Sequence, residues 1–124
     1  MTDYEFTLPW PPTVNHWHQP VKMGRGVRIV KSKKARDYEA LVLEVMTALK
    51  LDGEFLTCKL SVSLTLNPPT LARYDIDNRT KGVFDGLSAA GFWLDDEQVV
   101  KLKIEKGEKQ KGGNVLIKVK KEVD

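Results

Sequence analysis

Leu56-Thr57-Cys58-Lys59-Leu60-Ser61-Val62-Ser63-Leu64-Thr65-Leu66 alternates apolar and polar side chains without a miss. Successive side chains of a strand point to opposite faces, so this pattern predicts a strand with one buried and one polar face. Pro68-Pro69 stops it, because proline brings no N–H to a sheet ladder. Upstream, Ala35, Tyr38, Val42, Val45 and Leu49 recur at spacings of three and four, widened by Leu41 and Met46. That stripe predicts an amphipathic helix of about four turns. Ser32 is placed to cap it and Asp52-Gly53 to break it. Downstream, Ile76, Thr80, Val83, Leu87 and Ala90 form a second helical stripe with Phe84 beside it, and Gly91 supplies its end.

The flanks read as strands. Tyr4, Phe6 and Leu8 alternate with Glu5 and Thr7 until Pro9, Pro11 and Pro12. Residues 13–26 read as a loop, and Val27 to Val30 as a short strand in a loose hairpin with the first. Val100, Leu102 and Ile104 alternate with lysines; after a loop from Gly107 to Gly113, Val115, Ile117 and Val119 read as the return strand of a hairpin. The order β-β-α-β-α-β-β predicts one α+β domain over residues 1–124, a mixed sheet with two helices covering a face.

A chain of 124 residues is the size of one domain and buries enough surface for a real core. No apolar run approaches the ~20 residues of a membrane span. Met1 to Trp10 shows no basic segment followed by an apolar one, so no secretory signal is expected and the expected location is cytoplasmic. The single cysteine, Cys58, excludes an internal disulfide, and no Cys/His spacing suits structural zinc.

Net charge is only +3, but it is unevenly spread. Lys22, Arg25, Arg28, Lys31, Lys33, Lys34 and Arg36 fall within residues 22–36, which hold no acid. Residues 101–121 carry eight lysines against Glu105 and Glu108, whereas residues 75–97 carry six acids against Arg79 and Lys81. An acidic centre between basic flanks suits a protein that grips phosphates and holds a cation. The plain alternative is that these runs are solvated faces. Lys22, Arg25, Arg28, Lys31, Lys33, Lys34, Arg36 and Arg79 are the candidate DNA contacts.

The chemistry concentrates in Tyr74-Asp75-Ile76-Asp77-Asn78-Arg79-Thr80-Lys81. Asp75 and Asp77 stand two apart, on one side of an extended segment. A helix starting near Asp77 would stack Asp77, Lys81 and Asp85 on one face, away from the apolar stripe. A second pair, Asp95-Asp96, lies in a turn before the Val99-Val100 strand, which could return a carboxylate toward Asp75 and Asp77. Clustered carboxylates repel unless a cation joins them. Magnesium takes one or two carboxylates and leaves room for water and a substrate phosphate. Lys81 is then a candidate to orient water or stabilise the developing charge. The structural alternative makes Asp75 and Asp77 helix caps and Asp95-Asp96 a turn. His16 and His18 are a weak metal pair without a nearby thiol; Trp17 reads chiefly as core, and Phe92 and Trp93 as core or dimer interface.

Three blocks together resemble the RusA-type Holliday junction resolvases. They are Leu8-Pro9-Trp10-Pro11-Pro12 with Asn15; Asp75-Ile76-Asp77-Asn78 with Lys81 and Asp85; and Gly91-Phe92-Trp93-Leu94-Asp95-Asp96 with Gln98-Val99-Val100. The resemblance spans nearly the whole chain and is densest from Asp75 to Val100. It implies that Asp75, Asp77 and Asp96 are catalytic carboxylates holding magnesium, with manganese able to replace it, and that Lys81 is the catalytic lysine. Asp85 and Asp95 match acidic positions without an assigned role. It further implies a homodimer acting on four-way DNA junctions, nicking two strands of like polarity to leave ligatable 5′-phosphate ends, with no small-molecule cofactor. Arg79-Thr80 departs from the more apolar residues common there. Two rivals stand beside this reading: a related nuclease preferring flaps or forks, and a non-catalytic DNA-binding module.

Overall fold

In the computed structural model, which describes residues 2–122, the chain forms eight principal elements. These are β1 (Tyr4–Pro9), β2 (His18–Met23), β3 (Gly26–Lys31), α1 (Lys33–Ala48), β4 (Leu60–Asn67), α2 (Thr80–Ala89), β5 (Val99–Lys106) and β6 (Asn114–Lys121). The α+β class holds. Four strands make one mixed sheet in the order β1-β6-β4-β5, and β2 and β3 pair separately as a two-stranded ribbon.

β4 is the central strand its alternation predicts. Leu60, Val62, Leu64 and Leu66 are buried and Ser61, Ser63 and Thr65 half-buried on the other face. Full burial of each such apolar side chain contributes roughly 1.5–3 kcal/mol. The strand starts four residues later than its pattern, because Leu56 instead bridges Trp93 in parallel. α1 covers the sheet with Ala35, Tyr38, Val42 and Met46 buried. The Ser32 side chain accepts from Ala35 N at 3.1 Å, so the expected cap is present. α2 packs on α1 so closely that a Cβ at Gly86 would lie 2.9 Å from Val42 Cγ2. It ends in paired bonds, Phe92 N to Leu87 O and Gly91 N to Ser88 O. Those bonds require a left-handed residue, and Gly91 has φ +74°.

Three expectations are corrected. Residues 18–23 form β2, which pairs with β3, so the second strand makes its hairpin with β2 and not with β1. β1 instead pairs antiparallel with β6, Phe6 opposite Ile117 and Leu8 opposite Val115. The two C-terminal strands are not a hairpin: β5 runs parallel to β4 on one side, and β6 antiparallel to β4 on the other. The most apolar strand thereby gains partners on both edges, and the loop after β5 is long enough to step across it. Finally, α2 begins at Thr80, not near Asp77, and Ile76 is 40% exposed rather than part of the buried stripe.

Candidate active site

The segment before α2 holds the first acids. Asp75 and Asp77 are exposed in a turn that Asn78 N closes onto Asp75 O at 3.2 Å. Neither caps α2, whose N-cap is Arg79 and makes no side-chain cap bond. The segment is braced from both ends. On one side Lys106 Nζ donates to Tyr74 O at 2.8 Å and lies 4.4 Å over the Tyr74 ring. Tyr74 meets Trp10 edge-on at 5.5 Å, and the Arg79 guanidinium lies 5.0 Å over Trp10 while donating to Pro11 O. On the other side Val14 N donates to Asn78 O at 3.0 Å. Partial burial lowers the Arg79 pKa, with the nearby Tyr74 opposing. Asp75 and Asn78 line an open cleft of about 700 Å³ together with Arg73, Tyr74 and Lys106.

The second acidic pair is held by different means. Asp95 caps a single 3-10 turn, Asp96–Gln98, and its side chain accepts from Glu97 N at 3.1 Å. Gln98 Oε1 accepts from Leu94 N and Asp95 N, while its Nε2 donates to Leu56 O at 2.7 Å and Cys58 O at 2.9 Å. One side chain therefore ties the turn to the segment entering β4. Asp96, the first residue of that turn, is half-buried. Burial pushes its pKa up, and the neighbouring Asp95 and Asp85 push the same way while Lys81 pulls it down. Asp95 is held below its ordinary value, first by the Glu97 N–H and then by the Asp96 side chain. Of the two, Asp96 retains the proton longer.

Lys81 and Asp85 pair at 3.2 Å across one turn of α2. The structure thus brings Lys81, Asp85 and Asp96 into one another's field, with Asp75 and Asp77 in the turn just before the helix. Among the described residues no three of Asp, Glu, His or Cys converge tightly enough to hold a cation alone. Carboxylate oxygens are the donor type that magnesium takes, one or two at a time, when a phosphate and water complete its shell.

The candidate DNA contacts divide. Lys22, Arg25 and Arg28 are exposed on the β2–β3 ribbon, and Lys34 is exposed on α1. Lys31 pairs with Glu39 and Lys33 with Asp37, both at 2.8 Å, and Arg36 donates to Lys31 O. Arg79 is engaged by Trp10 and Pro11. Trp17, Phe92 and Trp93 are fully buried. His16 contacts Thr13 Oγ1 and His18 lies on the ribbon. Sequence reasoning missed the bracing roles of Trp10, Tyr74, Lys106 and Gln98, whose partners lie far along the chain and carry no local signal.

The sequence model of the family described as Endodeoxyribonuclease RusA matches residues 9–120. The chain belongs to the RusA family. Among its relatives, the crossover junction endodeoxyribonuclease rusA of Enterobacteria phage HK97 is 36% identical over 120 residues, covering 96% of this chain and 95% of that protein. The crossover junction endodeoxyribonucleases RusA of Escherichia coli K12 and Shigella sonnei Ss046 are each 34% identical over 119 residues, with the same coverage. The RusA match includes both acidic segments, Lys81 and the whole ribbon. Among the described residues no helix is long and apolar enough to cross a membrane.

Proposed function

We infer that this chain is a crossover junction endodeoxyribonuclease: it hydrolyses phosphodiester bonds in four-way DNA junctions. Full-length similarity to relatives bearing that name carries the reading. Asp75, Asp77 and Asp96 are the carboxylates that would hold a divalent cation, magnesium or manganese. A cation bound there would lower the pKa of a coordinated water and offset charge on the phosphoryl oxygens. Lys81, beside Asp85 and Asp96, contributes a fixed positive charge toward the oxygens that gain charge in the transition state. Asn78 and the Lys106–Tyr74–Trp10–Arg79 brace keep the Asp75–Asp77 turn in position, which matters because small misplacements of reacting groups cost rate steeply.

Lys22, Arg25, Arg28, Lys31, Lys33, Lys34 and Arg36 hold phosphate backbones, whereas Arg79 acts mainly through the turn it braces. Paired nicks across a junction need two sites, and a two-fold symmetric homodimer supplies them. One domain spanning residues 1–124 suffices for each site, with no small-molecule cofactor, and a cytoplasmic location follows from the DNA substrate.

The test is a side-by-side digestion of a four-way junction, a flap, a fork and a linear duplex with magnesium. Preferential cutting of the four-way junction is the expected result. Faster cutting of flaps or forks would move the assignment to a related nuclease. Binding to the junction without cutting in magnesium or manganese would make the chain a DNA-binding module.

A further inference from the structure

The β2–β3 ribbon carries a feature that phosphate binding does not use. Its pairings are His18 with Lys31, Pro20 with Ile29 and Lys22 with Val27. Paired residues share a face, and alternate residues of a strand share that face with them. One side of the ribbon is therefore His18, Pro20, Lys22, Val27, Ile29 and Lys31. Val27 is 69% and Ile29 63% exposed. Val21 and Val30, on the opposite side, are half-buried. An apolar strip stands open to water with lysines at both ends and no acid between residues 22 and 36.

The ribbon is also firmly rooted beside the candidate active site. Ser32 N donates to Trp17 O at 2.9 Å, and the Ser32 hydroxyl donates to His16 O, closing the base of the ribbon. Trp17 is fully buried against α2, where a Cβ on Gly82 would lie 3.2 Å from its ring. Three residues earlier, Val14 N holds Asn78 O. The ribbon base is thereby joined to the Asp75–Asp77 turn and to the helix that carries Lys81.

We propose that this face of the ribbon enters the branch point of the junction, where Val27 and Ile29 pack against exposed base-pair faces while Lys22 and Arg25 hold the flanking phosphates. The inference rests on the junction reading above and adds the element that recognises the branch. Charge complementarity selects the occupant. Lys31 is paired with Glu39, but Lys22 and Arg25 at the ribbon tip are exposed, and residues 22–36 hold no acid, so the strip disfavours a second copy of itself and attracts a polyanion. The apolar centre then needs a polyanion with accessible apolar surface, which duplex DNA offers where base stacking is interrupted. Two-stranded ribbons fit the grooves of DNA, and apolar side chains inserted at base steps are a known means of holding bent DNA.

The experiment uses the whole protein without divalent metal, so that binding is read without cleavage. The probes are a four-way junction with 2-aminopurine at the branch and a linear duplex of the same sequence. Wild type is expected to prefer the junction and to raise the 2-aminopurine fluorescence as the base unstacks. Val27→Thr with Ile29→Thr keeps β-branched side chains on an exposed ribbon, so the fold is retained. This variant should bind linear duplex as wild type does, lose the fluorescence rise, and lose about tenfold or more of its junction preference. Lys22→Ala with Arg25→Ala should weaken both substrates and make the salt dependence shallower by about 2 in log–log slope. A threonine variant with full fluorescence rise and unchanged junction preference overturns the ribbon inference alone. A wild type with no junction preference overturns the junction reading with it.

Discussion

Asp96 differs from the other candidate carboxylates in that burial holds its proton more tightly than usual. In the folded protein it keeps a proton that the unfolded chain loses near its ordinary value of 3.8. Stability therefore falls as pH rises from that value through the raised one, and stays lower above it. In metal-free buffer, Asp96→Asn should melt above wild type at about pH 7, with the two midpoints converging near about pH 3. A lower midpoint at neutral pH would mean that Asp96 makes a structural bond as an anion. Asp77→Asn, at an exposed position, should fold normally, retain junction binding and lose cleavage. An active Asp77→Asn protein would remove Asp77 from the site. Lys81→Met should lower kcat by about 10²–10³ while junction affinity changes little, checked by single-turnover cleavage with saturating protein. The candidate residues are legible in the sequence as two carboxylate pairs, Asp75 with Asp77 and Asp95 with Asp96, with Lys81 between them. Their spatial relation is not legible, since Gln98 places Asp96 through contacts with Leu56 and Cys58, about forty residues earlier.

Elements with strong periodicity are read correctly and those whose partners lie far away are not. α1 and β4 announce themselves by spacing, and Ser32 and Gly91 by their chemistry. β2 escapes notice because His18-Gln19-Pro20-Val21-Lys22-Met23 lacks a buried face to impose alternation. The C-terminal hairpin is misread because adjacent strands usually pair, whereas here β4 lies between β5 and β6. The start of α2 is misread because Asp77 lies on the extrapolated helix face, yet the Asn78–Asp75 turn and Arg79's attachment to Trp10 delay the helix until Thr80. Helix contact offers a direct check. Gly86→Val would drive methyl groups into Val42 and should destabilise the fold by about 1–3 kcal/mol in urea unfolding. Val42→Ala in the same chain should return part of that loss. Full stability of the single variant would mean that α1 and α2 can part at Gly86 without penalty.

At the scale of the molecule, the charge pattern divides into an acidic strip along α2 and the turns at its two ends, and a basic ribbon rooted next to it. The two are far enough apart in sequence to look independent, but the ribbon root at Val14–Trp17 touches both Asn78 and α2. In the proposed complex, DNA held by the ribbon would be set in register with the candidate carboxylates. The most direct test is cleavage of an end-labelled four-way junction with and without magnesium, with both candidate strands followed at single-nucleotide resolution. Symmetric nicks in two strands of like polarity are expected, only with the metal, and an intact linear duplex under the same conditions. Metal-independent cutting, or equal cutting of the linear duplex, would contradict the junction reading.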